Sequence, residues 1–399
     1  MKGVDPARLA RLREHFDRYV GDGRLPGWLA VLHRDGETHL ECSGRRDLEA
    51  GLPVEEDTLW RIYSMTKPIT SVAAMMLWEE GRFELKDPVA RFLPEFEAPR
   101  VYRGGTAAKP VTRPAVEPIR MWHLLTHTSG LTYGFHAAHP VDAMYRAAGF
   151  EWSTPPGLDL AACCERWAAL PLLFEPGSEW NYGVSTDVLG RVVEVIAGQP
   201  LDAFLAARVL GPLGMPETGF HAPEADHGRL AALYTPDAAT GRATRLDALG
   251  AAALRPPDCL SGGGGLVSSA SDYLRFARML LGGGELDGVR LLSPRTLRLM
   301  TSNQLPGGAD LEAVGRPLFS ETTFDGVGFG LGFSVVVDPV AGRSASSLGE
   351  FAWGGAASTA FWVDPAERMT VLFFTQLLPS SSYPLRSQLH QMVHQALVD

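Results

Sequence analysis

Apolar residues recur every three to four positions near the start of the chain, at Leu9, Leu12, Phe16 and Val20. That spacing predicts an amphipathic helix ending near Gly21-Asp22-Gly23. The pattern then shortens. Residues 28–33 and 38–42 are strand-like runs flanking Arg34-Asp35-Gly36-Glu37, whose Asp-Gly step is a hairpin signal. Towards the other end, residues 329–337, 358–363 and 370–375 read as strands, the last two joined by the turn Asp364-Pro365-Ala366-Glu367-Arg368. A final helix carries Leu385, Leu389, Met392, Val393 and Leu397 on one face. Strands near both termini and helices at both extremes predict one antiparallel sheet built from the two ends of the chain, with terminal helices over a face. The middle is then an insertion. It is helix-rich, with helices expected over 121–125, 158–170, 185–197 and 201–210 and an irregular stretch over 98–118. The expected fold class is α+β, with a discontinuous α/β domain of residues 1–90 and 222–399 and a mainly helical domain of residues 91–221.

Composition narrows the function classes. A chain of 399 residues that is 45% hydrophobic and 21% charged can bury a large core, which excludes disordered and fibrous classes. The net charge of −10 is spread without long acidic or basic blocks, so no nucleic-acid footprint or polybasic membrane patch is visible. No run reaches the roughly 18 apolar residues of a spanning helix, and the opening residues lack the apolar core of a secretory signal. A cytoplasmic protein is expected, and reduced thiols at Cys42, Cys163, Cys164 and Cys259 agree with it. No Cys-x-x-Cys occurs. The His-x-x-x-His spacings at His123/His127 and His390/His394 lack an adjoining Glu or an obvious third ligand, so no metal and no cofactor are expected. Gly262 to Gly265 is not followed by Lys-Ser/Thr and reads as a tight loop before a helix over 272–281.

The densest chemical signal is Ser64-Met65-Thr66-Lys67-Pro68, followed by Val72, Met75 and Met76 at helical spacing. Proline is tolerated in a first turn, so the helix is expected to begin near Ser64, and residues three apart share a face. A serine hydroxyl needs a base within hydrogen-bond reach to attack a carbonyl. Lys67 is placed to be that base. A capping serine followed by a solvated lysine has the same pattern. The lysines are only Lys2, Lys67, Lys86 and Lys109, which makes this pairing harder to attribute to surface noise. The nearest approach to a Gly-x-Ser-x-Gly elbow, Gly183-Val184-Ser185-Thr186-Asp187, fails at its last position, which disfavours an α/β-hydrolase.

Four segments in order, Trp60 to Pro68, Leu124-Leu125-Thr126-His127-Thr128-Ser129-Gly130-Leu131, Glu175-Pro176-Gly177-Ser178-Glu179-Trp180-Asn181-Tyr182 and Gly262 to Ser269, resemble the serine β-lactamase-like superfamily. The likeness spans nearly the whole chain and is closest to the family VIII carboxylesterases, which resemble class C β-lactamases and DD-peptidases. It implies a β-lactamase-like fold with the site in a cleft between the two domains. It also implies Ser64 as nucleophile, Lys67 as its base and Tyr182 as the tyrosine of a Tyr-x-Asn element. On the same correspondence the N–H groups of Ser64 and Ala356 form the oxyanion hole. The lesser alternative for Tyr182 is an aromatic packed at a helix start.

The departures point to the substrate. Val184 stands where the Asn of Tyr-x-Asn is expected, and no lysine follows Lys109 to make a Lys-Thr-Gly strand. Trp353-Gly354-Gly355-Ala356 is similar to the Trp-Gly-Gly of the esterase branch, which exchanges a carboxylate-binding cation for an apolar wall. Trp353, Gly354, Gly355 and Val184 are therefore expected against substrate, the lesser alternative being a core tryptophan beside a glycine bulge. The expected activity is hydrolysis of short-chain carboxylic esters through an acyl-enzyme, with a small-molecule ester as substrate and no nucleic-acid or membrane partner. The rivals are a β-lactamase or DD-peptidase, a linear-amide hydrolase, an acyltransferase and a non-catalytic acylable sensor. Arg316 or Arg343 would supply the missing cation if the fold brought either to the cleft.

Overall fold

Strand Gly27–Arg34 is buried along its whole length, because its alternate side chains enter two different cores. Leu29 and Val31 face one, and Trp28, Ala30 and Leu32 face the other. In the computed structural model, which describes residues 1–152, 154–316 and 324–399, this strand lies inside an antiparallel sheet of eight strands. Their order is Val327–Phe329, Ser334–Val336, Phe351–Gly354, Ala360–Asp364, Met369–Phe374, Gly27–Arg34, Glu37–Asp47 and Leu52–Pro53. The first and last parts of the chain meet where Leu29 pairs with Phe374 and Arg34 with Met369. The sheet expected from the two chain ends is therefore present.

Helices Pro6–Gly21 and Leu385–His394 cover one face, burying Leu9, Leu12 and Phe16 beside Leu385, Leu389 and Val393. Asp5 caps the first helix by accepting from the N–H groups of Ala7 and Arg8. Helices Thr66–Glu79 and Ala270–Leu281 cover the other face. There Ile69, Val72, Tyr273 and Phe276 share one apolar cluster with Phe361, Leu372 and Phe374 of the sheet. The inserted helices Met121–Leu125, Leu160–Ala168 and Ser185–Ala197 add Leu124, Cys164, Val188 and Val192 to the same cluster. No helix among the described residues is long and apolar enough to cross a membrane.

Three expectations are corrected. The run 329–337 is two short strands that pair with each other, Val327 opposite Val336, around a turn in which Gly332 has φ 99°. Glycines at every second position interrupt what otherwise reads as one apolar strand. The stretch 98–118 is a hairpin of Arg100–Thr106 with Lys109–Pro114. Its strands are mostly exposed and carry glycine and proline, so no apolar alternation marked them. The helix expected over 201–210 is α-helical only at Leu201–Leu205 and widens to a π-turn over Ala206–Leu210.

Candidate active site

Strand Leu59–Arg61 runs into a single 3-10 turn, Tyr63–Met65, before helix Thr66–Glu79 begins. Ser64 thus sits in the turn that feeds the helix, just ahead of the helix proper. Tyr63 has φ 42°, a left-handed conformation that costs a non-glycine residue about 1–3 kcal/mol. The surroundings hold it there. The Gln376 side chain accepts from the N–H of Arg61 at 3.2 Å and donates to the carbonyl of Arg61 at 3.1 Å. The buried Arg61 guanidinium donates to the carbonyls of Ala231 and Gly250.

Lys67 is 2% exposed. Its Nζ lies 3.2 Å from Ser64 Oγ, 3.0 Å from Tyr133 Oη and 2.6 Å from the Gly263 carbonyl. An ammonium has three protons to donate and finds three acceptors here. A neutral amine would instead give protons to Gly263 and Tyr133 and keep its lone pair for the serine proton. The expected meeting of Ser64 and Lys67 is present, and Tyr133 joins it from a loop that the sequence reading passed over. Burial of its hydroxyl and the nearby Asp187 charge push the Tyr133 phenol well above its ordinary value.

The glycine loop belongs to this site. Asp187 is buried and accepts from Ser261 Oγ at 2.5 Å and from the Gly263 N–H at 3.0 Å. A Cβ on Gly263 would stand 2.4 Å from Asp187 Oδ2, so the loop approaches the carboxyl only as glycine. Burial pushes the Asp187 carboxyl up, opposed by Lys67 and by its two donors. Gly262 to Gly265 thereby presents the Gly263 carbonyl to Lys67, beyond leading into strand Val267–Ser269 and helix Ala270–Leu281.

Tyr182 and Ser64 both line a cavity of about 500 Å³. Lys67 Nζ lies 4.5 Å from the centre of the Tyr182 ring. Tyr182 Oη accepts from Trp353 Nε1 at 3.2 Å, which leaves the phenol proton to point elsewhere. Trp353 is therefore more than a wall, because it orients the phenol. Its ring, with Gly354, Gly355 and Ala356, lines the cavity too. Neither the Ser64 nor the Ala356 N–H donates to another group among the described residues, and both residues are half-buried at the cavity. Val184 is placed differently from the expectation. It precedes helix Ser185–Ala197, packs in the apolar cluster and does not line the cavity. Ser185, the elbow candidate, exchanges a hydrogen bond with Ser129 Oγ at 2.8 Å inside the core. Arg343 lines the cavity, whereas Arg316 pairs with Glu179 at 3.0 Å. An aromatic row not foreseen from sequence completes the mouth. Tyr133 stacks on Phe135, and Phe135 on Trp152, each at 4.7 Å between ring centres.

A family model described as Beta-lactamase matches residues 12–392. The chain belongs to this family. It is 41% identical over 377 residues to Protein Rv1367c of Mycobacterium tuberculosis, covering 94% of this chain and 90% of that protein. It is 35% identical over 395 residues to Esterase EstB of Burkholderia gladioli, covering 93% and 91% of the two chains. Among solved structures, EstCE1, a hydrolase with promiscuous acyltransferase activity, superposes with a TM-score of 0.82 at 28% identity. That match covers 97% of this chain and 99% of EstCE1. The beta-lactamase-like fold and the resemblance to its esterase branch hold, and the protein is a serine hydrolase of the beta-lactamase family.

In this family member one missing side chain sets how near the sheet comes to Ser64. A Cβ on Gly355 would stand 2.4 Å from the Ile62 carbonyl oxygen and 2.2 Å from Thr359 Oγ1. Backbone cannot give way as a flexible side chain can, so Gly355→Ala should push the strand end and the Ala356 N–H away from the serine turn. We expect kcat on a chromogenic ester to fall about 10²-fold, the scale of a displaced or lost oxyanion donor. Gly354→Ala would meet the end of the Arg386 side chain instead and should cost less. Equal, small losses in the two variants would mean that Gly355 does not set this approach.

Proposed function

We propose that the protein is a carboxylesterase that hydrolyses short-chain carboxylic esters through an acyl-enzyme on Ser64. The observation that carries the reading is the 3.2 Å approach of Lys67 Nζ to Ser64 Oγ at the edge of a cavity walled by aromatic rings. Ser64 Oγ attacks the ester carbonyl carbon while its proton passes to the Lys67 amine. The oxyanion is received by the Ser64 and Ala356 N–H groups, which have no other partner among the described residues. Collapse breaks the carbon–oxygen bond to the leaving alkoxide, which takes a proton through Tyr182 and departs as the alcohol. Water then attacks the acyl-serine by the reverse proton path and releases the acid. Tyr133 and the Gly263 carbonyl hold Lys67 in position, and Asp187 holds the Gly263 loop. The substrate sits in a cleft between a sheet domain of residues 1–90 and 222–399 and an inserted domain of residues 91–221. A cytoplasmic location fits the four unpaired cysteines.

The test compares kcat/KM for a butyrate or acetate ester with that for an activated cephalosporin in one buffer. Esters should be favoured by one to two decades or more, because a charge-assisted contact to the lactam carboxylate is worth about 1.5–3 kcal/mol and the strand that carries Trp353 has no lysine to make it. Val184 packs in the apolar cluster outside the cavity wall and makes no contact there. Arg343, exposed at the rim, is the one of the two arginines considered from sequence that reaches the cavity, and Arg343→Ala should leave the ester rate within a factor of a few. A lactam efficiency equal to the ester's would overturn the esterase reading. The reported activity of EstCE1 favours acyl transfer as a second reading. An alcohol added as acceptor should then yield a new ester in proportion to its concentration, at the expense of free acid.

A further inference from the structure

His390 and His394 occupy successive turns of the C-terminal helix Leu385–His394, and the sequence reading left them without a third ligand. The fold supplies one. Glu350, the residue before strand Phe351–Gly354, is 2% exposed and reaches the same point, so that one ligand atom from each of the three lies within 4.8 Å of the others. Glu350 Oε1 accepts from Ser346 Oγ at 3.1 Å and stands 3.7 Å from His390 Nε2, while Oε2 is buried with no partner among the described residues. His394 Nδ1 donates to the His390 carbonyl at 2.9 Å. That bond fixes the tautomer and leaves Nε2, which is also buried and unpartnered, with its lone pair free. The Trp362 ring lies under both imidazoles, at 3.9 Å and 6.3 Å, and holds their planes within 17° and 10° of its own.

We propose that Glu350, His390 and His394 form a binding site for a divalent transition-metal ion of the Zn²⁺ class. Two imidazoles and one carboxylate are the donors such ions select, whereas Mg²⁺ and Ca²⁺ take oxygen. Bonds of about 2.0–2.1 Å place tetrahedral ligand atoms about 3.4 Å apart, so the three side chains need to close by roughly 1 Å. Glu350 and His390 also line the large cavity, which leaves a fourth position for water from that side. An ion there would give a partner to Glu350 Oε2 and His394 Nε2, which are buried and have none among the described residues. The bound ion would tie the C-terminal helix to the strand whose far end carries Trp353 and Ala356.

The protein is dialysed against chelator and titrated with Zn²⁺ and with Co²⁺. Wild type should bind one equivalent, with a rise in Tm of a few degrees and the visible absorption of low-coordinate Co²⁺. Glu350→Gln and His394→Ala should each weaken binding by about 10²-fold or more and lose the Tm rise. Absence of stoichiometric binding by wild type, or unchanged affinity in both variants, overturns the proposal. A crystal of the Co²⁺-loaded wild type decides it without variants, because anomalous scattering must peak between Glu350, His390 and His394. A peak elsewhere, or none, rejects the site.

Discussion

Ser64→Ala should abolish ester hydrolysis, lowering kcat by about 10⁴–10⁶ as for other catalytic nucleophiles. The hydroxyl is the only atom in the proposed mechanism that becomes covalent, so no neighbour can take its place. Its folded-state role is small. Ser64 is half-buried and its one side-chain bond among the described residues is the 3.2 Å contact from Lys67, worth about 1 kcal/mol. The variant should therefore keep a nearly unchanged melting curve and lose labelling by a covalent phosphonate, read by intact mass. Turnover within tenfold of wild type, in protein that melts normally, would sink the assignment of Ser64.

Lys67→Ala and Tyr182→Phe should each cost about two to four decades in kcat, the range of general acid–base groups. Because both act on one proton path, the double variant should be scarcely slower than the worse single one. A double loss equal to the product of the two would assign them separate roles. Tyr133→Phe removes a partner of Lys67 and should cost about one decade, the worth of one hydrogen bond. Lys67→Ala carries a further signature in stability. Asp187 is already raised by burial, and Lys67 is the first of the influences that oppose the rise. Without the cation, the folded-state value of Asp187 rises further. A carboxyl raised above its unfolded value stabilises the protonated fold at low pH and loses that advantage as pH increases, since the unfolded chain releases the proton sooner. The Tm deficit of Lys67→Ala relative to wild type should thus widen with increasing pH and narrow as pH falls. Asp187→Asn in the same background should flatten the dependence.

The Ser64–Lys67 pair was legible because three-residue spacing across a helix start is a local fact, and local geometry needs no knowledge of the fold. Tyr133 and Asp187 were not read, although both lie within two residues of segments that stood out. Tyr133 follows the quoted Thr-His-Thr-Ser-Gly-Leu run, and Asp187 is the residue that broke the elbow pattern after Tyr182. Only the folded chain brings them to Lys67, through a loop on one side and four glycines on the other. Val184 shows the reverse failure. Its position relative to Tyr182 suggested substrate contact, but the turn into helix Ser185–Ala197 directs it into the core. The split strand at 327–336 and the exposed hairpin at 100–114 escaped for a common reason. Alternating burial marks a strand only where one face is covered, and these strands are too short or too exposed to alternate.

The pairing of Gly27–Arg34 with Met369–Phe374 has a consequence for the order of events during biosynthesis. These interior hydrogen bonds of the sheet join a strand to one that is made much later in translation. At about 5–20 residues per second, the first strand waits roughly 20–70 s for its neighbour. Ser64 and Lys67 emerge before Trp353 and Ala356, so on the proposed mechanism a ribosome-bound chain holds the serine without its oxyanion donor. Until then Trp28, Leu29 and Val31 lack the strand Met369–Phe374 beside them. Nascent chains stalled before residue 369 should be inert and readily cut by protease, and resistance and turnover should appear together once the last strands are released.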